Sequence, residues 1–115
     1  MTQSNDEAKM KILNQSQYWL EGINGALYNA IVNFMEKNNL NRTQLAEHLG
    51  ISKGRVSQIL NEGDINFSLE KIIEIALKVN TYPKIEFIEQ KEFQRKNSDK
   101  RSKRNGTTNE VIYST

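Results

Sequence analysis

Up to Pro83 the apolar residues of this chain recur at helical spacing. Trp19, Leu20, Ile23, Leu27, Tyr28, Ile31, Phe34 and Met35 follow three- and four-residue steps, the stripe that one face of a helix presents. Gly22 and Gly25 fall inside the stripe, and glycines within a helical pattern mark a place for a break. The spacing predicts a helix from about 25 to 38, preceded by another from about 6 to 21, with Asn38-Asn39 ending the run.

Three short helices should follow. Asn41-Arg42-Thr43-Gln44 has the form of a capping box, a side-chain acceptor at the start and a Gln three positions on to reciprocate. Leu45, Ala46 and Leu49 then give a short apolar face, and Gly50 stops the helix. Ser52 caps the next helix, whose inward face is Val56, Ile59 and Leu60, and Gly63 ends it. Ser68 opens a third, with Leu69, Ile72, Ile73, Ile75, Ala76 and Val79 at helical spacing and Asn80 closing it.

After Pro83 the pattern changes. Lys84-Ile85-Glu86-Phe87-Ile88-Glu89 alternates imperfectly, which predicts a short strand for which the rest of the chain offers no partner. From about Phe93 onward the sequence is polar and charged, and disorder is expected. Val111-Ile112-Tyr113 is a small apolar island near the end.

Composition sharpens the picture mainly by exclusion. A chain of 115 residues suits one domain, and 37% apolar content confines the core to part of it. With no Cys, disulfide scaffolds, thiolate zinc sites and cysteine nucleophiles are excluded; with only His48, so is a multi-histidine metal site. No catalytic constellation, metal site or cofactor motif assembles from these residues, so an enzyme is not expected. His48 itself reads as a plain surface histidine beside Glu47. No apolar run approaches a membrane span and the first residues lack a signal-peptide pattern, so no membrane association and a cytoplasmic location are the expectations. The formal net charge of +2 conceals an asymmetry. Residues 1–90 sum to −2 and residues 91–115 to +4, through Lys91, Arg95, Lys96, Lys100, Arg101, Lys103 and Arg104 against Glu92, Asp99 and Glu110. A basic tail suggests a polyanionic partner, although such tails are commonly just solvated.

The segment Thr43–Gly63, TQLAEHLGISKGRVSQILNEG, carries the sharper signal. Two short helices crossing steeply need a small residue at the close approach, here Ala46. Their tight connection needs a residue tolerant of positive φ, here Gly50. Ile51 can plug the gap, with Val56 and Ile59 facing the first helix. From about Tyr28 to Asn80, including the run Leu40–Ser52, the chain resembles the helix-turn-helix of the phage-repressor and Cro type, the XRE family. The resemblance implies an all-α fold, a compact bundle of four or five helices that binds operator DNA, usually as a dimer. Residues 1–24 are then an N-terminal helical extension, 25–82 the DNA-binding domain, 83–92 the strand and 93–115 a basic flexible tail.

Helical geometry assigns roles within the second helix of the motif. At about 100° per residue, Val56, Ile59 and Leu60 define the inward direction, so Gly54, Gln58 and Asn61 point outward and Lys53, Arg55 and Ser57 flank them. Ser52 to Asn61 spans roughly 15 Å, which fits a major groove. Carried over by position, the resemblance implies base reading by Lys53, Gly54, Ser57 and Gln58; from side-chain chemistry the leading readers are Gln58, able to pair bidentately with adenine, and either Lys53 or Arg55, able to donate to guanine. Gly54 departs from the family's frequent polar side chain and permits close backbone approach. Arg42, at the first turn of the preceding helix, matches the family's phosphate clamp, with Thr43, Ser52 and Asn61 as further phosphate contacts.

An edge strand with no partner in its own chain invites a second copy, and a two-fold dimer places two recognition helices on one face of a duplex. The expectation is a homodimer through Ile85, Phe87 and Ile88, with Trp19 and the N-terminal helix as further candidates, acting as a sequence-specific regulator, most simply a repressor on a palindromic operator. The alternative is an antitoxin-type module that covers a toxin partner and regulates its own operon.

Overall fold

The structure is a computed structural model that describes the backbone of residues 2–103 and the side chains of residues 6–96. Its helices are α1 (Thr2–Leu13), α2 (Ser16–Lys37), α3 (Arg42–Leu49), α4 (Lys53–Glu62), α5 (Leu69–Lys78) and α6 (Gln90–Lys103). The chain divides into two units, residues 1–83 with α1 to α5, and residues from 84 onward with α6.

In the first unit one core joins four helices and a loop. Leu27 and Ile31 of α2, Leu45, Ala46 and Leu49 of α3, Val56 and Ile59 of α4, and Ile75, Ala76 and Val79 close it together with Ile65 from the α4–α5 loop. Tyr28, Phe34, Met35, Leu40, Ile51, Leu60, Phe67 and Ile72 pack around it, partly buried. The motif residues expected to face inward do so. Ile65 joins the core without a signal in the sequence, because it lies in a loop and has no helical period to mark its direction.

The short helices form where their ends are satisfied. At α3 the box is complete: Gln44 N donates to Asn41 Oδ1 at 2.8 Å and Asn41 N to Gln44 Oε1 at 2.9 Å. Ser52 Oγ accepts from Arg55 N at 3.0 Å to open α4, and Ser68 Oγ accepts from Lys71 N at 3.2 Å to open α5. Gly50 ends α3 at φ +72°, and its amide returns to Ala46 O at 2.9 Å. A β-carbon there would meet Lys78 Nζ at 3.2 Å, so both backbone and space favour glycine.

The N-terminal part departs from expectation. The interruption predicted near Gly22–Gly25 falls instead at Asn14–Gln15, and α2 runs unbroken through both glycines. Glycine weakens a helix but keeps its N–H, so neither position removes a ladder bond. The earlier break is closed by side chains: Asn14 Nδ2 donates to Met10 O at 2.8 Å and Trp19 Nε1 to Leu13 O at 2.8 Å. Trp19, Leu20 and Ile23, expected on the core stripe, lie beyond the buried core and are about half exposed, as are Met10, Ile12 and Tyr18.

Two expectations for the C-terminal part are corrected. The described residues contain no strand: 84–89 form no ladder, with Phe87 96% exposed and Ile85 and Ile88 about half exposed. Alternation sets the direction of side chains, but a strand forms only against a neighbouring backbone. Residues 93–103, expected to be disordered, belong to α6. Its Gln, Lys, Glu and Arg residues favour a helix without any apolar stripe, and Arg95 Nη2 meets Glu92 Oε2 at 2.9 Å one turn away. The rest of the basic tail and Val111–Tyr113 lie outside the described residues. No helix among the described residues is long and apolar enough to cross a membrane.

Candidate nucleic-acid interface

The face opposite the buried Val56 and Ile59 carries the residues singled out from the sequence. Lys53, Gly54, Gln58 and Asn61 are exposed on α4, with Ser52 just before it; Thr43 is exposed at the start of α3, while Arg42, Arg55 and Ser57 are half-buried. The caps on Asn41 and Ser52 hold the two helix starts, each with first-turn amides that suit an anion.

Two arginines organise this face. Arg42 reaches from the first turn of α3 across to α4, where Nη1 donates to Ser57 Oγ at 3.2 Å and Nη2 to Asn61 Oδ1 at 2.9 Å. Three residues assigned to DNA are thereby joined before any ligand arrives, which fixes α4 against α3. Arg55 turns toward the 64–67 loop instead. Its Nη1 donates to Gln58 Oε1 at 2.9 Å and to Asp64 O and Oδ2, both at 3.3 Å, and its Nη2 to Asn66 O at 3.0 Å. The guanidinium lies 4.2 Å from the centre of the Phe67 ring. The guanidinium thereby attaches the loop to α4, a contact that could not be read from spacing.

Gly54 sits in open space. A β-carbon there would meet nothing nearer than Ser52 Oγ at 3.9 Å, and the backbone is helical. Neither packing nor φ asks for glycine at this position, in contrast to Gly50.

His48 does more than the plain surface histidine that its sequence setting suggests. Its ring stacks on Phe34, centroids 4.7 Å apart, and Nε2 lies 2.7 Å from Lys78 O. Lys78 Nζ in turn donates to Leu49 O at 3.3 Å, placing a cation at the C-terminus of α3. This exchange ties α3 to the end of α5 across about thirty residues of chain, a separation that hides it from local sequence patterns.

A glycine-turned pair of short helices, the second capped and with its outer face exposed, has the layout of a helix-turn-helix DNA-binding domain. The comparison with protein families agrees: residues 31–84 match the family model described as Helix-turn-helix. The match covers just under half of the chain, and this segment is similar to the helix-turn-helix of the phage-repressor and Cro type, the XRE family. No curated protein and no solved structure matches the chain.

Proposed function

We propose that this chain is a DNA-binding transcriptional regulator, a repressor that binds a palindromic operator as a homodimer, with α4 in the major groove. The observation that carries the reading is the exposed α4 face, held from behind by buried Val56 and Ile59 and from the side by Arg42. Lys53, Ser57 and Gln58 address base edges, and Gly54 lets the backbone come close. Arg42, Thr43, Ser52 and Asn61 address phosphates at the two helix starts and the far end of α4. Arg55, engaged with the loop, serves chiefly to position Gln58.

Without a strand, the dimer contact rests on side chains. Ile85, Phe87 and Ile88 present apolar surface, and their burial against a second chain would draw two copies together without a β-ladder. The exposed aromatic rings of Tyr82 and Phe87, 92% and 96% accessible, also favour a second reading in which this segment covers a toxin in an antitoxin-type complex.

The test is selection of bound duplexes from a random pool by the full chain, followed by titration. Recovery of a two-fold symmetric site supports the proposal, and an unenriched pool overturns it. Arg42→Ala should weaken binding on all sequences and lower the salt slope by about 0.9 for each phosphate that the arginine neutralises. Light scattering should give a dimer; a monomer at micromolar concentration, both alone and on the selected duplex, would remove the homodimer and leave a protein partner as the use of residues 82–88.

A further inference from the structure

The two arginines determine more than the position of α4: they determine which hydrogen-bonding groups its outer face presents. Arginine has only donors, so whatever faces it must accept. The atom of Gln58 beside Arg55 Nη1 is therefore its carbonyl oxygen, and the atom of Asn61 beside Arg42 Nη2 is likewise its oxygen. Each amide is fixed with its oxygen toward the guanidinium and its NH2 group away from it. Ser57 Oγ also accepts from Arg42, which leaves its own O–H to donate elsewhere. Lys53 is a donor by nature, and the first amides of α4 are donors by position. Glu62, at the last position of α4, is the only carboxylate on that helix.

The geometry points to an α4 face polarised by Arg42 and Arg55 into a surface of hydrogen-bond donors, which reads acceptor-bearing base edges and selects guanine opposite Gln58. This rests on the reading that α4 lies in the major groove. The reason for guanine is the pattern of the groove: guanine offers N7 and O6, two adjacent acceptors, whereas adenine sets the N6 amino donor beside N7. A glutamine that pairs with adenine must turn its oxygen to N6–H. Here the charge-assisted bond to Arg55 holds that oxygen on the loop side. The adenine pairing expected from residue type alone is thus replaced by a donor-only contact. Arg55 is a positioning residue that sets specificity through Gln58 without touching the base.

The experiment is the duplex selection repeated with Gln58→Ala, Gln58→Glu and Arg55→Met, each checked for folding by circular dichroism. The base pair read by Gln58 is the one whose preference vanishes in Gln58→Ala. At that position the wild-type chain should favour guanine over adenine by about tenfold or more. Gln58→Glu keeps an acceptor for Arg55 but removes the donors, so preference should move from guanine toward cytosine, whose N4 donates. Arg55→Met releases the amide, and preference should move toward adenine. Replacing the guanine by 7-deazaguanine removes N7 and should weaken wild-type binding several-fold with no change to the protein.

Adenine enriched opposite Gln58 in the wild type would overturn the inference while leaving the DNA-binding reading intact. So would an Arg55→Met variant that weakens all sequences equally with unchanged preference, because a merely structural arginine behaves that way. An unenriched wild-type pool would instead remove the reading of α4 on which the inference stands.

Discussion

The α3–α4 pair and the first half of α2 are built from similar helical periodicity and finish differently. In the pair the apolar residues at the centre of the inward face meet another element: Leu49 and Val56 are fully buried and Ile59 is 1% exposed. In the first half of α2, Leu20 and Ile23 on the same kind of stripe stay half exposed. The pair is also held by reciprocal caps and by arginine bridges across chain separations of 15 and 19 residues. The junction of α1 and α2 is held by local bonds, notably Trp19 to Leu13. A shared face is a property of one helix, whereas burial needs a second surface to arrive. The difference predicts a rigid recognition unit and an N-terminal segment of lower local stability.

The largest effect should come from removing buried volume. Ile59→Ala should cost about 2–5 kcal/mol in urea unfolding followed by circular dichroism, whereas Ile23→Ala in the monomer should stay near about 0.5 kcal/mol. Equal costs would show that something covers the first half of α2 and would dissolve the contrast. Next in size are the two glycines of the motif. Gly50→Ala forces a side chain into the left-handed region beside Lys78 and should destabilise by roughly 1–2 kcal/mol. Gly54→Ala should instead stabilise the fold by about 0.4–1 kcal/mol, measured as a shift in urea midpoint, since its site is helical and open. If it also weakens DNA binding, the glycine is there for the duplex.

A smaller effect should follow from each cap. Ser52→Ala should cost about 1 kcal/mol by removing the acceptor for the Arg55 amide, read from the same midpoint. The finest comparison uses Trp19, the only tryptophan, whose fluorescence reports the N-terminal segment alone. Its emission should change at lower urea than the far-ultraviolet signal of the bundle; coincident transitions would make the two regions one cooperative unit.

Much of this fold is legible in the sequence because it is local. Asn41, Gln44, Ser52 and Ser68 act within three residues of themselves, and Gly50 answers a backbone demand at its own position, so spacing alone is enough. The site residues on α4 are legible for the same reason, since outward direction follows from helical period once Val56 and Ile59 are known to face inward. The departures share a cause. Alternation at 84–89 describes which way side chains point, but a strand exists only when a neighbour pairs with it. The helix over Gln90–Lys103 escapes notice because it has no apolar stripe, the signal that marks the other helices.

The helix-turn-helix, its caps, its turn and its outward face follow from the amino-acid order alone, because each depends on residues a few positions apart. What that face presents depends on packing. The contacts of Arg55 with Asp64, Asn66 and Phe67, of Arg42 with Ser57 and Asn61, and of His48 with Lys78 join residues brought together by packing. Residue type says that a glutamine can donate and accept; the guanidinium packed beside Gln58 turns its oxygen inward and leaves its donors outward.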